Sequence, residues 1–207
     1  LNAMPLVEVS LVVLVPCSVA SGMKQVTAAV EWGHGVFADR TQVGESWLRK
    51  LANKEGWVMW AMDWRGFDRF GFPLLARAVV HNVGSPALND LYYNLVQSVI
   101  SRIAVRDFIL PLLLQYDENF LQLDGNKLDN IIGGPGNTLK AHHYMGGSMG
   151  SILGGGYMHM AGIGKTVLYV GGSPLTYIIG TTSLAGLYLR GIDLQFFRRT
   201  DARLALS

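Results

Sequence analysis

Short apolar runs separated by helical patterns constrain the fold of this chain more than any other feature. Four runs are rich in β-branched and aromatic residues, and each ends at glycine, proline or aspartate. They predict strands at residues 6–15, 26–32, 57–62 and 166–170. Between them lie helical patterns, chiefly at residues 46–53 and 88–114. Strands that alternate with helices predict an α/β fold, a mostly parallel sheet flanked by helices.

The composition predicts one globular domain over residues 1–207. Of these residues 50% are hydrophobic and 15% are charged, which is enough apolar surface for a sizeable core. The formal net charge is only +2, so we expect neither nucleic acid nor a membrane surface as a partner. The apolar stretch at residues 6–20 has no lysine or arginine before it and is shorter than the roughly 20 apolar residues that span a bilayer. It predicts a strand and no transmembrane segment, and the composition assigns no compartment.

A glycine-rich run fits the pattern G-x-S-x-G where a strand candidate at residues 140–144 gives way to a helical pattern at residues 151–160. The run is Gly146-Gly147-Ser148-Met149-Gly150. A serine on a sharp turn between strand and helix projects its hydroxyl above the sheet edge, and small neighbours let the adjacent chain pass closely. The start of the helix adds N–H groups and a positive dipole end, which favour a developing negative charge. The pattern predicts a nucleophile elbow with Ser148 as the catalytic nucleophile; the alternative is a glycine-rich turn with an incidental serine.

Two further motifs follow predicted strands. Gly33-His34-Gly35-Val36-Phe37 comes after the strand at residues 26–32, and Asp63-Trp64-Arg65-Gly66 comes after the strand at residues 57–62. Together with the serine motif, in this order, they resemble the α/β-hydrolase superfamily, and most closely its bacterial esterase- or lipase-like members. The resemblance runs from about residue 10 to about residue 200.

The resemblance implies roles for individual residues. Ser148 would accept the acyl group, and the backbone N–H groups of Val36 and Met149 would form the oxyanion hole. His34 and Gly35 would shape the loop that carries Val36. Residues 88–137 would form the helical connection between the fourth and fifth strands, while Asp63 and Arg65 would be structural. The expected reaction is hydrolysis of a small-molecule carboxylic ester through an acyl-enzyme.

The histidine that such a serine needs is missing from its usual place. The superfamily places an acid and then a histidine after the nucleophile. Here the only histidine after Ser148 is His159, and the only acidic residues after it are Asp193 and Asp201. His159 lies about three helical turns from Ser148, out of reach of the hydroxyl, and Asp193 is the candidate acid. His142 and His143 precede the motif on a strand, where adjacent side chains point to opposite faces, so we expect one of them near the site.

Three explanations for the missing histidine stay open. The chain is the truncated N-terminal and central portion of a longer hydrolase, with the acid and histidine beyond Ser207. Alternatively, a second polypeptide completes the fold. The third explanation is a non-catalytic relative that keeps the fold as a binding or scaffold protein.

We expect no cofactor and no metal. The chain has one cysteine, Cys17, which excludes an internal disulfide framework and a multi-cysteine metal site. No His/Cys cluster has the spacing of metal ligands. Gly164-Lys165-Thr166 lacks the earlier glycine of a phosphate-binding loop. Residues 117–137, rich in Asp, Asn and Gly, predict a surface connection with a turn at Asp124-Gly125-Asn126.

Overall fold

The computed structural model describes residues 7–71, 73–74, 86–116, 121–124, 127–130 and 141–172. Its main sheet has five strands in the order β1-β3-β2-β6-β7. These strands are β1 (Leu11–Leu14), β2 (Ala28–Gly33), β3 (Trp57–Met62), β6 (His142–Gly147) and β7 (Lys165–Tyr169). β1 runs antiparallel to β3, and the other neighbours are parallel. The prediction of an α/β fold with a mostly parallel sheet is confirmed.

Helices connect the strands. They are α1 (Cys17–Ala20), α2 (Ser46–Glu55), α3 (Pro86–Ala104), α4 (Leu110–Tyr116) and α5 (Met149–Met160). The pattern at residues 88–114 predicts one continuous helix, whereas the structure has a π-helical turn, Val105–Ile109, between α3 and α4. Pro111 follows this turn and has no backbone N–H to donate, so the regular hydrogen-bond ladder is interrupted there.

A two-stranded hairpin follows α4. It consists of β4 (Leu121–Asp124) and β5 (Lys127–Asn130), paired antiparallel. Within the connection that we expected to be helical over residues 88–137, the described residues are helical as far as Tyr116 and form strands at Leu121–Asp124 and Lys127–Asn130. The sequence Leu-Gln-Leu-Asp alternates apolar and polar residues with the period of a strand, and this local pattern competes with the surface-loop composition.

Apolar side chains cover both faces of the sheet. One face buries Ala28, Val30, Trp32, Met59 and Ala61 together with Leu48 and Ala52 of α2. The opposite face buries Ala29, Val58, Trp60 and Met62 together with Val105 and Leu110. Successive residues of β2 and β3 thus enter opposite cores, as the two-residue period of a strand requires. Full burial of a large apolar side chain contributes about 1.5–3 kcal/mol, so the two central strands hold the helices in place.

A buried ionic cluster lies under the carboxyl end of the sheet. Glu31 of β2 forms an ion pair with Arg102 of α3, and the Tyr157 hydroxyl of α5 donates to the other Glu31 oxygen at 2.7 Å. Arg102 also donates to the carbonyl of Met62 at 2.6 Å, and its guanidinium lies 3.8 Å from the centre of the Trp64 ring. Burial raises the pKa of Glu31, and the adjacent Arg102 opposes that rise. The cluster ties β2, α3 and α5 together.

No helix in the described part of the chain is long and apolar enough to cross a lipid bilayer.

Candidate active site

Ser148 stands between β6 and α5 in a backbone conformation that L-residues rarely adopt. Its φ is 53° and its ψ is −116°. Such a conformation costs about 1–3 kcal/mol and persists only where the surroundings impose it. The Ser148 N–H donates to Tyr169 of β7 at 3.0 Å, and the Ser148 carbonyl accepts from Ser151 of α5 at 2.9 Å. These bonds hold the turn between strand and helix, and the side chain is exposed.

The turn is possible because α5 passes very close to β2 and β6. A Cβ atom on Gly150 would overlap the carbonyl oxygen of Gly33. A Cβ atom on Gly146 would lie 2.5 Å from the carbonyl oxygen of Gly150. Both outer glycines of the G-x-S-x-G pattern are therefore required by backbone-to-backbone contact, which lets the sharp turn form.

The loop after β2 lies beside Ser148. Gly33 and Gly146 are register partners on adjacent parallel strands, so both loops leave the same edge of the sheet. A Cβ atom on Gly35 would lie 3.7 Å from the Ser148 Cβ atom. Val36 follows Gly35 in this loop, and Met149 is the first residue of α5, where an N–H has no partner within the helix. Two backbone segments that carry N–H groups thus flank the serine.

His34 holds this loop and is 1% exposed. Its Nε2 atom accepts a hydrogen bond from the Trp64 N–H at 2.8 Å, so the ring proton is on Nδ1 and is donated to the Gly35 carbonyl, also at 2.8 Å. Burial lowers the pKa of His34 below its usual value of 6.5. The imidazole is neutral and both ring nitrogens are occupied, so His34 is not available to take a proton from Ser148.

Gln42 fixes the same loop from the other side. Its Oε1 atom accepts from the Gly35 N–H and from the Trp32 indole N–H, each at 3.1 Å. Gln42 lies in a short 3-10 helix, Arg40–Gly44, whose first turn is capped by the Asp39 side chain. Sequence reasoning missed Gln42 because no local motif marks a glutamine whose partners come from two other segments.

A cavity of about 620 Å³ opens beside Ser148. Its walls are chiefly apolar and aromatic and include Trp32, Trp47, Met145, Val167 and Tyr169. Trp32 is buried, whereas Trp47 is 43% exposed. Ser148 therefore lines a space that can hold an apolar group.

The other candidate residues lie away from Ser148 or outside the described residues. His142 and His143 begin β6, and at about 3.3 Å per residue they are roughly 16–20 Å from Ser148 along the strand. The expectation that one of them lies near the site is wrong, because the strand extends further towards Ser148 than predicted. His159 is about 16 Å along α5 by helical rise. Asp193 and Asp201 lie outside the described residues.

Asp63 and Arg65 make contacts that hold the loops around the sheet edge. Asp63 accepts from the Arg40 N–H at 2.7 Å and forms an ion pair with the Arg40 side chain. The Arg65 N–H donates to the Ser98 hydroxyl at 2.9 Å, and its guanidinium donates to the carbonyl of Glu8. These contacts connect the loop after β3 with α3 and with the segment before β1.

The described residues can supply a nucleophile, the Ser148 hydroxyl, and nearby backbone N–H donors. Ser148 forms backbone hydrogen bonds, but its hydroxyl forms none with another described residue. Among those residues no group of three or more His, Cys, Asp or Glu side chains could hold a metal ion.

No protein-family model matches the chain, and no curated protein is significantly similar to it. A proposal about the function of this chain therefore rests on the geometry of the site.

Proposed function

We propose that this protein is a serine hydrolase of the α/β-hydrolase type, which cleaves carboxylic esters through an acyl-enzyme on Ser148. The observation that carries the proposal is the Ser148 backbone, with φ 53° and ψ −116° between a parallel strand and a helix. A strained residue of this kind is favoured at functional sites. The exposed hydroxyl, the start of α5 and the loop after β2 meet at one point.

The position of Ser148 in the sheet supports a ligand site independently. The connection from β2 leads to β3 on one side, whereas β6 lies on the other side of β2. In open α/β sheets, ligands bind outside the carboxyl ends of the strands at such a switch in strand order. Ser148 follows the carboxyl end of β6, and Gly35 follows that of β2. This support does not depend on the serine motif.

The proposed reaction uses Ser148 and two backbone N–H groups. The Ser148 oxygen bonds to the ester carbonyl carbon while its proton passes to a histidine outside the described residues. The N–H groups of Met149 and Val36 donate to the oxyanion of the tetrahedral intermediate. The intermediate collapses, the bond to the alcohol oxygen breaks, and the histidine returns the proton to the alcohol. Water then attacks the acyl-enzyme by the same route and releases the carboxylic acid.

A non-catalytic binding protein is the second candidate. The observation that favours it is that no described histidine reaches Ser148. A protein of this kind would keep the cavity and the strained turn but would not activate the hydroxyl. Covalent labelling of Ser148 separates the two candidates.

The test is reaction of the folded protein with a fluorophosphonate probe. We expect labelling at Ser148, identified by mass spectrometry, and its complete loss in Ser148→Ala. Ser46→Ala is the matched control, because Ser46 is also an exposed serine at the start of a helix. Hydrolysis of a p-nitrophenyl ester should fall about 100-fold or more in Ser148→Ala and stay unchanged in Ser46→Ala. A folded wild-type protein that is not labelled would rule out the hydrolase and leave the binding protein.

A further inference from the structure

The cavity beside Ser148 has three aromatic walls. Trp32 and Trp47 meet edge to face, with ring centroids 5.3 Å apart and an interplanar angle of 82°. Tyr169 lines the cavity from β7 and is 63% exposed. Aromatic faces carry partial negative charge and attract organic cations that come within about 6 Å of the ring centre.

The described residues that line this cavity carry charge of one sign. Glu45 lines the cavity, and no described lysine, arginine or histidine does. The Trp47 indole N–H donates to Glu45 Oε2 at 2.9 Å, which fixes the carboxylate beside the aromatic ring. Among the described residues, no Lys, Arg or His nitrogen lies within 4.0 Å of this carboxylate. The cavity thus presents, next to aromatic side chains, a carboxylate that has no ionic partner among the described residues.

The charge and the walls together select among ligands. An anionic group would be repelled by Glu45, and a plain hydrocarbon would displace water from the carboxylate without replacing its hydrogen bonds. An alkylammonium group satisfies both features, since its charge pairs with Glu45 and its methyl groups contact the rings of Trp32, Trp47 and Tyr169.

We propose that the cavity binds an organic ammonium group. In an ester substrate, this group would be a trimethylammonium or protonated amine on the acyl or alcohol part, with Glu45 as the specificity-determining residue. The assignment of the ammonium group to an ester rests on the proposed function, whereas the binding of the ammonium group does not.

The test compares two ligands of equal shape. One is choline and the other is its uncharged carbon isostere, in which a tert-butyl group replaces the trimethylammonium group. Binding is measured by tryptophan fluorescence at constant ionic strength. We expect the wild type to bind choline about 3- to 30-fold more tightly than the isostere. Glu45→Gln should remove most of this preference. Glu55→Gln, at the other end of α2, is the matched control and should retain it.

Each result supports or overturns the proposal. Equal binding of choline and the isostere, or a preference that survives Glu45→Gln, overturns it. A preference for choline in a protein whose Ser148 is not labelled by fluorophosphonate supports the ammonium site and removes only the hydrolase. In a protein that is labelled, a carboxylic ester of choline should have a KM about 3- to 30-fold below that of its uncharged isostere, with a similar kcat.

Discussion

Glu31 lies on β2 and Ser148 follows the adjacent strand β6, yet their polar groups are in opposite situations. Glu31 is 1% exposed, and each of its carboxylate oxygens accepts a hydrogen bond, one from Arg102 and one from Tyr157. Ser148 is exposed and strained, and its hydroxyl bonds to no other described side chain. Among the described residues, the buried carboxylate therefore has a hydrogen-bond partner for each oxygen, whereas the Ser148 hydroxyl beside the cavity has none.

His34 connects the two regions. Its Nε2 atom accepts from Trp64, whose ring lies against the Arg102 guanidinium, and its Nδ1 atom donates to Gly35 beside Ser148. A perturbation of the buried cluster can thus reach the loop after β2 through one imidazole. The strained turn at Ser148 costs about 1–3 kcal/mol, which interactions elsewhere in the fold must offset.

The largest effect is expected for Arg102→Met. This change leaves the Glu31 carboxylate buried without its ionic partner, so we expect the free energy of unfolding to fall by about 3–5 kcal/mol. Urea denaturation followed by circular dichroism measures it. Arg49→Met, on the exposed side of α2, should change the value by less than about 0.5 kcal/mol. A loss below about 1 kcal/mol for Arg102→Met would mean that the buried cluster does not dominate stability.

The next effect concerns the packing that imposes the turn. Gly150→Ala would place a methyl group on the Gly33 carbonyl, so α5 must move away from β2. We expect a loss of about 3 kcal/mol in denaturant unfolding and a parallel loss of Ser148 labelling. Gly156→Ala in the same helix meets no atom within 4 Å and should stabilise the protein by about 0.5–1 kcal/mol. Equal effects of the two changes would contradict the close approach.

A smaller effect tests the link between the two regions. His34→Phe removes the acceptor of the buried Trp64 N–H, and we expect a loss of about 1–3 kcal/mol at neutral pH.

The pH dependence of stability gives a second measurement on the same residue. Because the pKa of His34 is below 6.5 in the folded state, the unfolded chain binds the proton more readily. The His34 contribution is complete above about pH 6.5 and decreases as the pH falls below it, by at most about 1.4 kcal/mol per pH unit. His34→Phe should lose this part of the slope, and His159→Gln should keep it. Identical slopes for the wild type and His34→Phe would show that burial does not lower the pKa of His34.

The smallest effect is a gain in stability. Ser148→Gly relieves the positive φ at the turn, and we expect a gain of about 1 kcal/mol and a Tm higher by about 2–4 °C. Ser148→Ala keeps a Cβ atom and should leave the Tm nearly unchanged. Scanning calorimetry measures both. If the two variants have the same Tm, the backbone of Ser148 is not strained.

The strands could be predicted from the sequence where burial dominates. Trp57–Met62 has the predicted bounds, because it is buried on both faces and is rich in aromatic and apolar residues. The sequence predicts that β6 ends at residue 144, because Gly146 and Gly147 have low strand propensity. In the structure β6 continues to Gly147, because these glycines pair with β2 and β7. The antiparallel direction of β1 is set by its pairing with β3, and no local pattern encodes that direction.

The part of the site that local motifs encode could be predicted from the sequence. The turn at Ser148 and the loop at His34 and Gly35 follow from local motifs, and the structure brings them together. Gln42, Glu45 and Trp47 reach the site from another segment, so no sequence spacing indicates them. The roles of Ser148, Val36 and Met149 in chemistry stay predictions until Ser148 is labelled.

Cys17 offers a practical consequence of the topology. It is the single cysteine of the chain, and its thiol is exposed at the start of α1. β1 runs antiparallel to β3, so α1 leaves the sheet at the end opposite to the carboxyl ends of β2 and β6. A maleimide would therefore attach this chain to a surface through one known atom, at the end of the sheet opposite to the cavity.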